Sequence, residues 1–202
     1  MVKLIAPEEA DRLRMAVVEA EKMTAGEIRV LIVGRTVGID WRYGLPASAM
    51  AVIASGLWLA RESWGTALWT EWFGAVGLGL AAGLAVGWGI PRLNLDRAVR
   101  RRAEREFVRL GIARTAGRTG VLLMLSEAER RAVLLADRTI DEKVPPGTWD
   151  GIVNDLVAAV RDGRAADGLV RAVTAVGTNL ATHFPRRPDD VNELSDDISR
   201  SP

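Results

Sequence analysis

The chain has no cysteine, which excludes disulfides, thiol catalysis and cysteine-ligated zinc or iron–sulfur centres. It has a single histidine, His183, so no two-histidine metal site can form within one chain. An excess of one charge sign is also missing. The formal net charge is +1, whereas a nucleic-acid-binding domain is plainly basic. The first residues, MVKLIAPEEADRLR, contain no apolar stretch of signal-peptide length and are not read as a secretory signal. The most informative shortage is local. Between residues 45 and 90 the only charged side chains are Arg61, Glu62 and Glu71, while the flanking segments are charge-rich.

That shortage defines two apolar runs. Residues 45–60, LPASAMAVIASGLWLA, form an uncharged run of 16, and residues 72–90, WFGAVGLGLAAGLAVGWGI, one of 19. A membrane-spanning helix needs roughly 17–25 apolar residues, which the second run meets and the first meets once Tyr43 and Gly44 are included. Two buried core helices are the alternative, but charge-free runs of this length are rare in soluble domains. Tryptophans at 41, 58, 64, 69, 72 and 88 fall at or near the ends of the runs, where amphipathic rings prefer the headgroup level. We therefore expect a transmembrane hairpin over 43–90, with spans at about 43–61 and 72–90. Arg42 precedes it, and Arg92, Arg97, Arg100, Arg101 and Arg102 follow it. The positive-inside rule then places both soluble flanks in the cytoplasm, at the inner face of a cell membrane. Small residues recur every four positions at Ala75, Gly79, Gly83 and Gly87, and at Ala47, Ala51 and Ser55. Such faces let helix backbones approach closely, either within the hairpin or across a homo-oligomer.

The flanks read as one α/β domain split in two, residues 1–36 and 92–195, with a tail over 196–202. A helix starts at Pro7 with Glu8 and Glu9 in its first turn and runs to Met23. Glu27 to Val33, EIRVLIV, is a buried strand. Beyond the apolar insert, Leu95, Val99, Ala103, Phe107 and Leu110 mark one helical stripe that stops at Gly111. GVLLML from Gly120 and AVLLA from Ala132 are separated only by SEAERR and form an antiparallel hairpin. Thr148 is the expected cap of a helix carrying Trp149, Ile152, Val153, Leu156 and Val160, and a last helix carries Leu169, Val173, Val176 and Leu180 up to Pro185. A lone N-terminal strand cannot make a sheet, so it must pair with the later strands. The expected fold is a small mixed sheet with helices on both faces.

Several ordered motifs resemble the TPM domain family. They are residues 103–149 with Gly120-Val121, the strand-end Asp137 and Trp149; DGLVRAVTAVGTNLATHFP over 167–185, closing on His183-Phe184-Pro185; and the ending DDVNEL at 189–194. EAEKMTAGEIRVLIV, 19–33, resembles that family's opening helix and strand, and the chain looks most like a bacterial subgroup with spans inserted after the first strand. The resemblance implies an α/β/α sandwich, acid phosphatase activity as in some plant members, and calcium binding as in others. Many bacterial members are membrane-attached.

Phosphoryl transfer needs a nucleophile or a metal-activated water, with positive charge for the phosphoryl group. Asp137 is the best single candidate, at the end of a strand, where α/β sheets often place ligands. Asp141 can share a site with it across a helical turn, and Arg114, Arg118 and Arg138 can offer positive charge. LLADRT lacks the second aspartate of an aspartyl-phosphatase motif, and GIARTAGRTG lacks the ending of a phosphate-binding Walker loop. The plainer reading of Asp137 is a cap for the turn that follows it. Calcium, as the resemblance implies, would draw oxygens from Asp137 and Asp141 and, if the tail folds back, from Asp189, Asp190 and Glu193. His183 reads as a helix-end residue favoured by the dipole. Arg97 to Arg105 reads as a basic face against anionic lipid. The leading expectation is a membrane-anchored interaction or accessory module for membrane proteins or the membrane surface. The alternatives are a weak, calcium-dependent phosphatase and a structural lipid-contacting protein. The topology has a direct check: protease added to sealed inside-out vesicles should cut the soluble flanks, and a fully protected domain would contradict the orientation.

Overall fold

A computed structural model describes residues 5–36, 48–50, 52–53, 56, 77–78, 80–81, 95–115, 117–186 and 198–201. The chain divides into two compact units, Met1–Thr36 with Val99–Pro202, and Val37–Ala98. Among the described residues no helix is long and apolar enough to cross a membrane. Most of the two apolar runs lies outside those residues, as do Ala75, Gly79, Gly83 and Gly87. Within the second unit, the described residues at 48–50, 52–53, 56, 77–78 and 80–81 are helical.

The first unit begins with α1 (Pro7–Glu21), whose first turn carries Glu8 and Glu9. The Glu9 carboxylate reaches back to accept from the Ala6 N–H at 2.7 Å, satisfying one of the free amides of the helix start. The helix ends two residues before the expected Met23. Strand β1 (Glu27–Val33) follows. The C-terminal half contributes α2 (Leu95–Arg109), a 3-10 turn (Ile112–Arg114), β2 (Gly120–Ser126), β3 (Arg131–Ala136), the short α3 (Arg138–Asp141), α4 (Thr148–Arg161), α5 (Ala165–His183) and β4 (Ser199–Ser201). The sheet order is β3-β2-β1-β4, with β2–β3 antiparallel and β1–β2 and β1–β4 parallel.

Two expectations are corrected. The tail is not merely an appendage: Ser199–Ser201 pairs in parallel with Leu31 to Val33 as an edge strand. The cap of α4 is Gly147, at φ 84°, and not Thr148. A left-handed backbone suits a glycine there, and the Thr148 hydroxyl instead donates to the Pro145 carbonyl at 2.8 Å.

Alternation along the strands sorts the core into two layers. Ile28, Val30, Ile32, Val121, Leu123, Leu125, Ala132 and Leu134 face one cluster, joined by Leu13 and Val17 of α1, Leu156 and Val160 of α4, and Leu169, Val173 and Val176 of α5. Leu31, Val33, Leu122 and Met124 face the other, joined by Val99 and Ala103 of α2 and by Ile112. Helices therefore cover both faces, and the expected α2 stripe is the one that packs.

Close helix packing in the first layer depends on Gly177. A Cβ built there would lie 2.6 Å from Ala20 Cβ and 3.1 Å from Ala20 Cα. Gly151 on α4 is exposed, with nothing within 4 Å of a built Cβ. Gly177→Ala should destabilise the domain by about 1–3 kcal/mol through overpacking. Gly151→Ala should leave it unchanged or stabilise it by up to about 1 kcal/mol through helix propensity. Urea unfolding followed by circular dichroism distinguishes the two, and equal effects would contradict this packing.

Candidate functional site

At the end of β3 the Asp137 N–H still donates to the Gly120 carbonyl at 2.9 Å, so this residue closes the ladder. The chain then turns into α3 with Asp137 in extended backbone, φ −68° and ψ 153°, as the N-cap. Its Oδ1 accepts from the Arg138 N–H at 2.7 Å, and its carbonyl accepts from the N–H groups of Ile140 and Asp141 at 2.9 and 3.1 Å. The capping role expected of a strand-end aspartate is the one observed. Asp137 is 9% exposed, and its other oxygen, Oδ2, is buried without a hydrogen-bond partner. A buried unpaired acceptor costs about 1–3 kcal/mol, more when charged, which singles this atom out.

The remaining candidates do not converge on it. Asp141 is exposed, and its Oδ1 accepts from Trp149 Nε1 at 3.2 Å, turning the carboxylate toward α4. Arg138 Nε donates to Glu142 Oε1 at 2.7 Å. Arg114 and Arg118 are exposed on the connection ahead of β2, with Arg118 at φ 49°. Among the described residues no three His, Asp or Glu side chains are grouped to hold a metal ion. Asp189, Asp190 and Glu193, with Val191 and Leu194, lie outside the described residues. Calcium takes six to eight oxygens, and among the described residues no second carboxylate joins that of Asp137 in such a set.

Strand direction also changes the meaning of the Asp137 position. β3 runs antiparallel to β2, so its end lies beside the starts of β1 and β2, at Glu27 and Gly120. The carboxyl ends of the parallel pair, where α/β sheets place ligands, are at the opposite edge of the sheet. There Ser126 is fully buried, and its hydroxyl is held by Glu129 Oε2 and lies 2.7 Å from Thr36 Oγ1. Glu129 Oε2 also accepts from the Thr36 N–H at 3.0 Å. Arg102 of α2 donates to Ser201 Oγ at 2.8 Å and Arg29 donates to Ser199 Oγ at 3.2 Å. These bonds fasten Thr36, at the end of the N-terminal half, to the β2–β3 turn. They tie β4 to α2 and β1. Sequence reading missed this cluster because its members are scattered and follow no motif.

His183 is the last residue of α5 and half-buried, as expected of a helix-end residue. Phe184 beside it packs on the larger core, and its carbonyl accepts from Thr24 Oγ1 at 2.7 Å and from the Ala25 N–H at 2.9 Å. Lys143 Nζ sits 4.6 Å from the Phe184 ring centroid, a cation–π contact. The His183-Phe184-Pro185 segment thus pins α5 to the corner between α1 and β1.

A groove of about 400 Å³ follows the C-terminal half of β3. It is lined by Leu134, Leu135 and Ala136, by Phe107 and Val108 of α2, and by Trp149 of α4, with Arg100, Glu104, Asp141 and Asp150 contributing charge. Three separate elements build it, so no local sequence signal marks it.

A four-stranded mixed sheet between two helical layers, with an aspartate closing the β3 end, defines an α/β/α sandwich domain. Residues 90–179 match the family model described as TPM domain. Among solved structures, the NMR structure of the BA42 protein from the psychrophilic bacterium Bizionia argentinensis is similar over 100% of this chain and 98% of that one, at 23% identity and a TM-score of 0.65. That likeness shows the fold. No curated protein matches the chain.

Removing the Asp137 cap tests its role. Asp137→Ala should destabilise the domain by about 1 kcal/mol, whereas Asp137→Asn, which can still cap, should cost no more than a few tenths. An equal loss in both variants, read from urea midpoints, would show that the charge rather than the cap matters.

Proposed function

We propose that this chain is a membrane-anchored TPM domain that works as an interaction or accessory module at the inner face of a cell membrane. The observation that carries the reading is the exposure of large apolar side chains on helical residues of the insert. Met50 is 71% exposed, Ile53 61%, Leu78 74% and Leu80 51%. Large apolar side chains exposed on uncharged helical runs are suited to contact with a membrane or a protein. The two apolar runs have the composition of spanning helices, and Arg97, Arg100, Arg101 and Arg105 follow them on exposed positions of α2, suited to anionic headgroups. Insertion between β1 and α2 leaves the sandwich intact, so the anchor and the domain can be separate devices in one chain.

A phosphatase is the second reading, favoured by one observation, the buried and unpartnered Asp137 Oδ2. In that reading Asp137 would act on a phosphomonoester.

Alkaline carbonate washing of membranes should leave the full chain in the pellet. Release into the supernatant would overturn the anchor. The same purified protein in detergent should hydrolyse a generic phosphomonoester no faster than its Asp137→Asn variant. Turnover that this substitution reduces at least about tenfold would replace the module reading with the enzymatic one.

A further inference from the structure

We propose that β3 is the seam of a homodimer, pairing antiparallel with β3 of a second copy about a two-fold axis at Leu134. This stands independently of the membrane reading.

The register fixes what the outer edge of β3 presents. Asp137 donates to Gly120, and the ladder runs from Val121 with Ala136 to Ser126 with Arg131. In an antiparallel ladder, residues with both main-chain groups turned to one neighbour alternate with residues turned to the other side. Arg131, Val133, Leu135 and Asp137 therefore turn theirs to β2. Ala132, Leu134 and Ala136 turn theirs outward. Among the described residues no strand pairs with that edge. Natural edge strands are guarded by lysine, proline, a bulge or an inward charge. The run AVLLA has none of these. Beside it lies the groove of about 400 Å³, with Val108 67% exposed on its α2 wall.

The sequence of the strand names the occupant. Laid antiparallel on itself about Leu134, RAVLLAD sets Arg131 opposite Asp137, Ala132 opposite Ala136, Val133 opposite Leu135 and Leu134 opposite Leu134. Opposite charges lie across from each other at both ends, where the Asp137 carboxylate stays in its cap on the Arg138 N–H and attracts Arg131 through space; alanine meets alanine, and aliphatic side chains meet between them. Such cross-strand pairs are the units that stabilise a sheet. The outward groups of Ala132, Leu134 and Ala136 then find each other as hydrogen-bonded pairs. A slide by two residues one way puts Glu129 opposite Asp137 and Arg131 opposite Leu135. A slide the other way puts Asp137 opposite Val133 and Arg131 opposite Thr139. Neither matches charge, so the Leu134-centred register is the favoured one. The contact is isologous and closes on itself, doubling the four-stranded sheet without leaving a β3 edge exposed.

The absence of cysteine allows a register-specific test. Val133 and Leu135 of opposite copies form a non-hydrogen-bonded pair, with Cα atoms about 4.5 Å apart, inside the roughly 4.4–6.8 Å that a disulfide spans. Full-length chains carrying Val133→Cys and Leu135→Cys are co-expressed, solubilised in detergent and mildly oxidised. The expected product is a covalent dimer of twice the 21.9 kDa chain mass, at least about tenfold more abundant than from either variant alone. No enrichment in the mixture, with both chains folded by circular dichroism, overturns the proposal. If the cysteine variants do not fold, light scattering of the wild-type chain in detergent decides. A monomer overturns the proposal, and so does a dimer whose dissociation constant is unchanged by Arg131→Glu, as a dimer formed through the apolar insert would be. A dimer weakened about tenfold by that substitution supports it.

Discussion

The pairing of β1 with β2 is the interaction on which the rest of this structure depends. Seven residues of the N-terminal half, Glu27 to Val33, lie in parallel register with Gly120 to Ser126, across an insert that includes residues 37–98. Without β1 the C-terminal half would hold a two-stranded hairpin, which is marginal by itself, and both helical layers would lose their common wall. Every strand residue of β2 is buried, and six of the seven in β1 are, so the pair is the central plane of both cores. Parallel pairing needs a long crossover, and here the crossover contains the apolar insert together with α2.

The domain reinforces that plane at both ends. At the carboxyl ends of the parallel pair, Glu127 and Ala128 donate to the carbonyls of Val33 and Gly34, and Glu129 holds Ser126 and Thr36. The chain leaves for the insert from a fastened point. At the other end, Thr24 and Ala25 bond the Phe184 carbonyl, Thr119 Oγ1 donates to the Ala25 carbonyl at 2.9 Å, and Asp137 closes β3 onto Gly120. Gly120 itself is pressed against the 3-10 turn: a built Cβ would fall 2.7 Å from the Ile112 carbonyl oxygen. The Gly-Val start of β2 is thus a packing requirement, which explains why a glycine begins an otherwise aliphatic strand.

Most of this fold was legible in the sequence because its elements are strongly patterned. EIRVLIV, GVLLML and AVLLA became strands within one residue of their expected limits, and SEAERR fixed the hairpin. The stripe from Val99 to Leu110 faces the smaller core as its spacing requires. β4 was not legible: Ser-Arg-Ser has no apolar signal, and it is a strand because β1 offers an edge and Arg29 and Arg102 hold its serines. The α4 cap was misread because the residue type suited Thr148 while the backbone geometry required Gly147. Asp137 could be named as the residue of interest from the sequence, but not the fate of each oxygen. The pairing of Asp141 with Trp149 depends on where α4 docks, which local spacing does not encode. The groove beside β3 was invisible for the same reason.

A domain completed across an insert should fold without the insert. The decisive measurement is the urea unfolding of a chain in which residues 37–94 are replaced by a flexible glycine-serine linker, followed by far-ultraviolet circular dichroism in buffer without detergent. The expected result is a soluble protein with mixed helix and strand content and one cooperative transition. A chain that aggregates, or unfolds without a transition, would contradict the claim that β1 and the C-terminal half form one self-sufficient sandwich.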